Sequence, residues 1–273
     1  MDNAVQRAIQ YMRERYGEPL TIARIADQAL LSRFYFTRVF KEETGTSPGK
    51  FLAAVRIHEA RRLLEDTSMS VTDVSIAVGY NSLGSFTNAF TAAVGVPPGR
   101  LRRRLWDGVP APDSTPSGGY GTVAGTISLP PGHGNARVFL GAFDTPVVQH
   151  PCHAWAVVDV PGGRPSCYSL QNVPEGGQYL LAVAVAAGIG PEERTRRTTL
   201  VAAHTAGRVP VSAQTVTSAA VRLRRPVATD LPVLLALPEL VPPRTVMAHP
   251  GCASVDPGAA VARLRPAPVL SRT

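Results

Sequence analysis

From the N-terminus to Trp106, apolar residues recur every three or four positions among Ala, Arg, Glu and Leu, which is the periodicity of amphipathic helices. After Trp106 the pattern changes. Residues 107–119, DGVPAPDSTPSGG, offer almost nothing to bury and read as a flexible linker. From Tyr120 the chain alternates: YGTVAGTISL, ARVFLGAF, AWAVVDV, CYSLQNV, QYLLAVAVA and QTVTSAAVRL are short runs separated by Gly, Pro or Asn. Such runs predict a β sandwich or barrel. Beyond Pro226 the chain turns Pro-rich around one apolar run, LPVLLALPEL, and then thins into a sparse tail. The expected fold is therefore multidomain. An all-α N-terminal domain spans 1–106, a linker 107–119, an all-β sandwich 120–240, and a Pro-rich tail, partly disordered, 241–273.

Within the helical half one plan is used twice. Ser32, Phe36, Thr37, Phe40, Gly45, Pro48 and Gly49 recur fifty residues on as Ser82, Phe86, Thr87, Phe90, Gly95, Pro98 and Gly99. Upstream of the serines the offset drops to 49, pairing Ile22, Ile25 and Ala26 with Val71, Val74 and Ser75, so the second turn holds one extra residue. Each copy predicts a short helix (Thr21 to Gln28; Val71 to Val78), a turn, and a second helix that a serine caps and that carries Phe at i and i+4. That is a helix-turn-helix. Between the copies, residues 47–66 predict one amphipathic helix whose Phe51, Leu52, Val55, Leu63 and Leu64 can face both units. Its 19 or so residues would span about 28 Å, of the order of the ~34 Å separating successive major-groove faces of DNA.

The stretch from Arg24 to Leu64 and its continuation from Val71 to Arg103 resemble the AraC/XylS-type DNA-binding domain of bacterial transcription regulators. Gly79-Tyr80, Ser85-Phe86-Thr87, Phe90, Gly95 and Pro98 fall where that family places its second-unit signature. The likeness covers about residues 3–105. It implies two recognition helices entering adjacent major grooves, with Arg33, Phe34, Thr37 and Arg38 as base-contact positions in the first and Leu83, Gly84, Ser85, Thr87 and Asn88 in the second. Two departures matter. Asn88 stands where the family usually has arginine, replacing a guanine-reading fork by an amide suited to adenine. Leu30 and Leu31 stand where the first turn often carries glycine, which predicts a different turn. Phe34 is left free for a thymine methyl because Phe36 and Phe40 already take the buried stripe. Arg33 suits base or phosphate equally well. Lys41, Lys50, Arg100 and Arg102, with the helix-initial Ser32 and Ser82, are candidates for phosphate contact, weighed against an ordinary solvated face.

The alternating half resembles the transthyretin-like or carboxypeptidase-regulatory-like sandwiches, through Val123-x-Gly125-x-Ile127 and Asn172-Val-Pro-x-Gly-x-x-Tyr179. Pro174 and Gly176-Gly177 supply the turn, after which Tyr179, Leu181 and Val183 alternate onto one face. Such folds host many roles. Beside a DNA-binding module the expected ones are effector sensing, dimerisation or contact with another protein. Phe139, Phe143, Trp155, Tyr168 and Tyr179 read as core aromatics.

Residues 150–155, HPCHAW, are the one candidate for chemistry. Some AraC-like modules are fused to alkyltransferases whose nucleophile sits in Pro-Cys-His-Arg, and Pro151-Cys152-His153 matches three of those four residues, with Ala154 in place of the arginine. A soft metal could instead use His150, Cys152 and His153, although on a strand Cys152 shares a face with His150 alone. More distant help could come from Cys167, His133 or Cys252. The favoured reading is the opening of an ordinary strand, with no metal, no cofactor and no catalysis. The rival is a metal-, thiol- or alkylation-responsive sensor acting through Cys152 on the same DNA-binding module. A third class is an architectural DNA-binding protein without an effector.

Composition narrows the partners. A chain of 273 residues with 44% hydrophobic content can build two cores. Its net charge of +8 favours polyanions, and residues 1–106 hold 15 basic against 10 acidic residues. Of the basic residues only Lys41 and Lys50 are lysine. Neither a signal peptide nor an 18-residue apolar run is present. The expectation is a cytoplasmic regulator whose partners are double-stranded promoter DNA, RNA polymerase, a small-molecule effector and a second copy of itself, with no membrane. The three cysteines, Cys152, Cys167 and Cys252, are odd in number and far apart, which argues against a disulfide framework.

Overall fold

Seven helices and eight strands are present among the residues that the computed structural model describes, which are 2–103, 118–189 and 197–246. The helices are α1 (Asp2–Arg15), α2 (Ile22–Gln28), α3 (Arg33–Thr44), α4 (Pro48–Asp66), α5 (Val71–Ala77), α6 (Leu83–Val94) and α7 (Pro98–Arg102). Local chemistry sets their ends. Thr21, Ser47, Ser70 and Ser82 cap α2, α4, α5 and α6 through their side-chain oxygens, and Ser70 with Asp73 completes a capping box. Ser32 makes no side-chain cap at α3, so one of the two expected serine caps is missing.

Helices α2 and α5 end alike. Leu30 N donates to Asp27 O and Leu31 N to Ala26 O, and in the second copy Gly79 N donates to Ile76 O and Tyr80 N to Ser75 O. Both are the paired closing bonds that a left-handed residue allows. That residue is Leu30 (φ 59°) in the first copy and Gly79 (φ 83°) in the second.

The long helix α4 serves both pairs. Its Phe51, Leu52 and Val55 pack with Ile25, Phe36 and Phe40, while its Ile57, Ala60 and Leu64 pack with Val74, Phe86 and Phe90. One stiff rod thus carries two small cores, as its apolar positions predict. Arg56, midway along it, donates from Nε to Tyr16 O and from Nη2 to Glu18 O, both at 2.8 Å. Burial lowers its pKa. Because the same guanidinium lies beside Gly79, the turn after α1 and the turn before α6 are tied to one side chain.

The strands are β1 (Tyr120–Ser128), β2 (Ala136–Phe143), β3 (Ala154–Val160), β4 (Ser166–Pro174), β5 (Gly176–Ala187), β6 (Arg197–Val211), β7 (Val216–Ser218) and β8 (Val221–Arg222). One sheet runs β4-β1-β7, with β8 also on β1, and the other β3-β2-β5-β6. Alternation places Val123, Ile127, Val138, Leu140, Leu180 and Leu200 in one buried cluster fed by both sheets. Gly125 is needed where it stands, since a Cβ there would collide with the Ala219 carbonyl oxygen. The Pro174–Gly176 turn carries the chain from one sheet to the other rather than closing a hairpin within one. Of the aromatic residues read as core, Phe139, Phe143 and Tyr168 are buried, whereas Trp155 stacks on Phe139 and stays 44% exposed.

Two expectations need correction. The strand β6 was not predicted, because Gly207 and Pro210 break its pattern. Pro210 is tolerated because β6 is an edge strand. The second concerns the cysteines: Cys167 is disulfide-bonded. Proximity in the fold decides pairing, and spacing along the chain does not display it.

After β8 the chain becomes an extended strap between the helical and β halves. Leu234 and Ala236 enter the cluster of α4–α7, Leu231 touches both helical clusters, and Leu235 joins Phe139, Phe143, Val148, Cys152, Leu181 and Val183 on the outer face of the second sheet. The apolar run after Pro226 therefore adds no strand. The expected linker lies outside the described residues apart from Gly118 and Gly119, and the expected tail does so after Val246.

Candidate nucleic-acid interface

Helices α3 and α6 present the same arrangement twice. Phe36 and Phe40 in α3, and Phe86 and Phe90 in α6, are buried, with ring centroids 5.3 and 5.5 Å apart within each pair. Burying that stripe turns the opposite face outward by geometry alone. On α3 the outward residues are Arg33, Phe34 and Arg38, with Thr37 half-buried at their centre. On α6 they are Leu83, Gly84, Ser85 and Asn88, with Thr87 in the equivalent place. The structure thus brings all nine expected base-contact residues onto two outward stripes.

Details separate the two helices. Phe34 is 87% exposed, an unusual setting for a large apolar ring. The guanidinium of Arg38 sits 5.3 Å from the centroid of Tyr35, which orients it without neutralising it. Thr37 Oγ1 donates to Arg33 O at 2.9 Å, leaving the hydroxyl oxygen free to accept. On α6, Ser82 Oγ donates to Ser85 Oγ at 2.9 Å and accepts from Ser85 N at 3.2 Å. Helix α3 carries Arg33, Arg38, Lys41, Glu42 and Glu43, whereas α6, LGSFTNAFTAAV, has no ionisable side chain.

Lys41, Lys50 and Arg100, and the serines Ser32 and Ser82, are exposed. Arg102 is not comparable to them. It donates from Nη2 to the Met69 carbonyl oxygen, and its Nε is buried without a partner, so it secures the chain ahead of α5.

The HPCHAW segment is built for structure. Residues 150–153 precede β3 rather than lying in it, which removes the face-sharing that a strand would have given His150 and Cys152. Cys152 is buried, donates to Ala154 O at 3.5 Å, and has its thiol pKa pushed up to about 12 by burial. A nucleophilic or metal-binding sulfur needs the thiolate. His153 Nε2 lies 2.7 Å from Asp144 Oδ2. Among the described residues no group of three or more His, Cys, Asp or Glu side chains could hold a metal ion. These observations lend no support to the reading of Cys152 as a responsive thiol, alkyl acceptor or metal ligand. What the sequence did not reveal is the role of the backbone here: His150 N donates to Ala93 O, in the last turn of α6, at 2.8 Å.

No helix among the described residues is long and apolar enough to cross a membrane.

Comparison with known proteins agrees with the helical half. Residues 25–104 match the helix-turn-helix domain family. An uncharacterised HTH-type transcriptional regulator of Bacillus subtilis is 36% identical over 99 residues, which is 36% of this chain and 41% of that protein. The melibiose operon regulatory protein of Escherichia coli is 28% identical over 99 residues, 36% of this chain and 33% of that one. The chain thus spans less than half the length of these curated relatives. Among solved structures, an AraC-type transcriptional regulator of Chromobacterium violaceum is 29% identical, covers 38% of this chain and 92% of its own, and superposes with a TM-score of 0.37. The C-terminal domain of a response regulator from Geobacillus stearothermophilus is 32% identical, covers 37% and 84%, and gives 0.36. Each of these relatives is described as a regulator of transcription or of response, not as an enzyme.

Proposed function

We propose that this chain, whose residues 25–104 are an AraC-type helix-turn-helix domain, is a sequence-specific transcription regulator that reads two adjacent major grooves with α3 and α6. The observation that carries the proposal is the duplicated outward stripe over a buried Phe pair, set at both ends of one 19-residue helix. In this reading Arg38 forks onto guanine, Asn88 pairs with adenine and Phe34 meets a thymine methyl. Arg33 contacts a base or a phosphate. Lys41, Lys50 and Arg100, with Ser32 and Ser82 at the helix starts, anchor phosphates and fix register without reading sequence. Arg102 leaves the phosphate set, since its guanidinium is engaged inside the fold.

The two sheets with their shared core act in this reading as a sandwich that modulates the DNA-binding half. Its continuous packing with α6 through the strap supports that role. RNA polymerase, a small-molecule effector and a second copy of the chain are the partners that a modulated regulator calls for, and the cytoplasm is where it would meet them.

The test is selection of duplexes from a random-sequence pool by the full chain, followed by footprinting of the winners. Two protected patches on one face, centred about 10 base pairs apart, are expected. A single patch, or enrichment without a sequence, would leave an architectural protein in place of a two-groove reader.

A further inference from the structure

We infer that the loop between β2 and β3 and the strap at residues 228–237 are positioning elements for the second reading helix: they grip α6 at its C-terminal end, so that the β half sets how α6 meets DNA. The last step of this inference rests on the DNA-reading proposal above. The grip itself does not.

A helix leaves its final carbonyl oxygens without intrahelical donors. At α3 the chain satisfies its own end locally, with Gly45 N donating to Lys41 O at 2.9 Å, Thr44 Oγ1 to Phe40 O at 2.7 Å, and Lys41 placing a cation in the last turn. At α6, Gly95 N donates to Thr91 O at 2.8 Å, but the last turn holds no cation. Its next carbonyls are taken from far away in sequence. His150 N donates to Ala93 O at 2.8 Å and Ala236 N to Val94 O at 3.2 Å. Around these two bonds Val147 of the loop and Leu234 and Ala236 of the strap pack into the same cluster as Phe86, Phe90 and Val94.

The two arms of the grip are joined to each other and fastened elsewhere. Leu234 N and Leu235 N both donate to Val148 O, at 2.8 and 3.0 Å, so loop and strap move together. Arg61 Nη1 on α4 donates to Leu235 O at 2.8 Å, and Arg13 Nη2 on α1 donates to the carbonyls of Ala228 and Asp230, each at 3.2 Å. The face of α6 that would read bases lies across the helix from its buried Phe pair, so a shift in the grip rotates or slides that face directly. Helix α3 is met more lightly, at Gly45, where an added Cβ would stand 3.7 Å from the Pro146 ring. A base contact tolerates displacement of only about 0.5 Å, which makes such a grip a determinant of what the second helix reads.

The experiment uses the full chain with Ala236→Pro, which removes the donor to Val94 O, and with Arg61→Ala, a milder variant that unfastens the strap outside both reading helices. Hydrogen exchange without DNA is compared with footprinting on a duplex selected by the unmodified chain, in which the half-site of α6 is the one weakened by Asn88→Ala. In Ala236→Pro, exchange across residues 86–96 should quicken up to about tenfold, the scale of one hydrogen bond, while residues 5–40 stay unchanged. Protection should fail at the α6 half-site and persist at the α3 half-site. Arg61→Ala should shift the same quantities the same way by less. Unchanged exchange over 86–96 in both variants overturns the grip, as does quickening spread evenly over 5–40. Equal weakening of the two half-sites, or none, overturns the positioning role even if exchange responds. If the unmodified chain selects no duplex while exchange responds as expected, the DNA reading fails and the hold on α6 stands.

Discussion

Leu30 and Gly79 close the first helices of the two pairs with the same left-handed backbone, φ 59° and 83°. Glycine adopts it freely, while an L side chain there costs about 1–2 kcal/mol. Leu30 is 81% exposed, so packing returns little of that cost. Leu30→Gly is therefore expected to raise stability by about 0.5–1 kcal/mol net of the chain entropy that glycine adds, read as a higher denaturation midpoint. Gly79→Ala should lower it, because a Cβ there meets Arg56 Nη2 and Gly17 O at 3.0 Å. Cys152 gives a pH prediction. Burial raises its pKa from 9.0 to about 12, so the stabilising contribution of the protonated thiol is whole below about pH 9 and is lost as pH rises from there toward 12. Between pH 7 and 10 the loss is about 1.4 kcal/mol, and Cys152→Ala should flatten the alkaline fall in stability by that amount. Denaturation curves at the two pH values check it, and parallel curves for both proteins would show that the thiol is not shielded. At this scale the sequence was partly legible. The missing glycine at Leu30 stood out against its repeat, whereas His150 acts through its N–H, which every residue but proline has, and no side-chain pattern marks that.

Helices were easier to read than strands. The span of α4 follows from its apolar spacing with Ser47 ahead of it, and the outward stripes of α3 and α6 follow once Phe36, Phe40, Phe86 and Phe90 are recognised as inward. The strands β2 and β3 agree with their alternating runs, but QTVTSAAVRL breaks into β7 and β8 as it crosses from Thr217 opposite Val123 to Val221 opposite Ile127. The strap was invisible as such, because a segment divided between two cores shows neither helical nor sheet periodicity. Two predictions belong to the elements. Asn88→Arg replaces an adenine-matching amide with a guanine fork, so selection with that variant should change one base preference within the second half-site, by about 1–3 kcal/mol of discrimination, and leave the first alone. Lys50→Ala, at an exposed position near the start of α4, should weaken binding to all duplexes alike and reduce the slope of log affinity against log salt by about 1. A change confined to one base would instead make Lys50 a reader.

For the whole molecule, charge and connectivity act together. The net charge of +8 draws the chain to a polyanion, while the absence of ionisable side chains in α6 leaves the ionic attraction to α3 and the helix flanks. Affinity should therefore fall steeply with salt, and less of the fall should be recovered by substitutions in α6 than in α3, a difference that binding titrations at two ionic strengths resolve. The strap adds a consequence of another kind. The β half follows the helical half in the chain, and the strap then returns from β8 to α1, α4 and α6, so the helical core is completed by residues more than 200 positions from its beginning. A growing polypeptide must expose the first 100 residues long before Leu234 and Ala236 emerge to cover Phe86 and Phe90. During synthesis α6 thus waits for Leu234 and Ala236, and a message truncated ahead of Leu231 yields helices that lack this hold on α6.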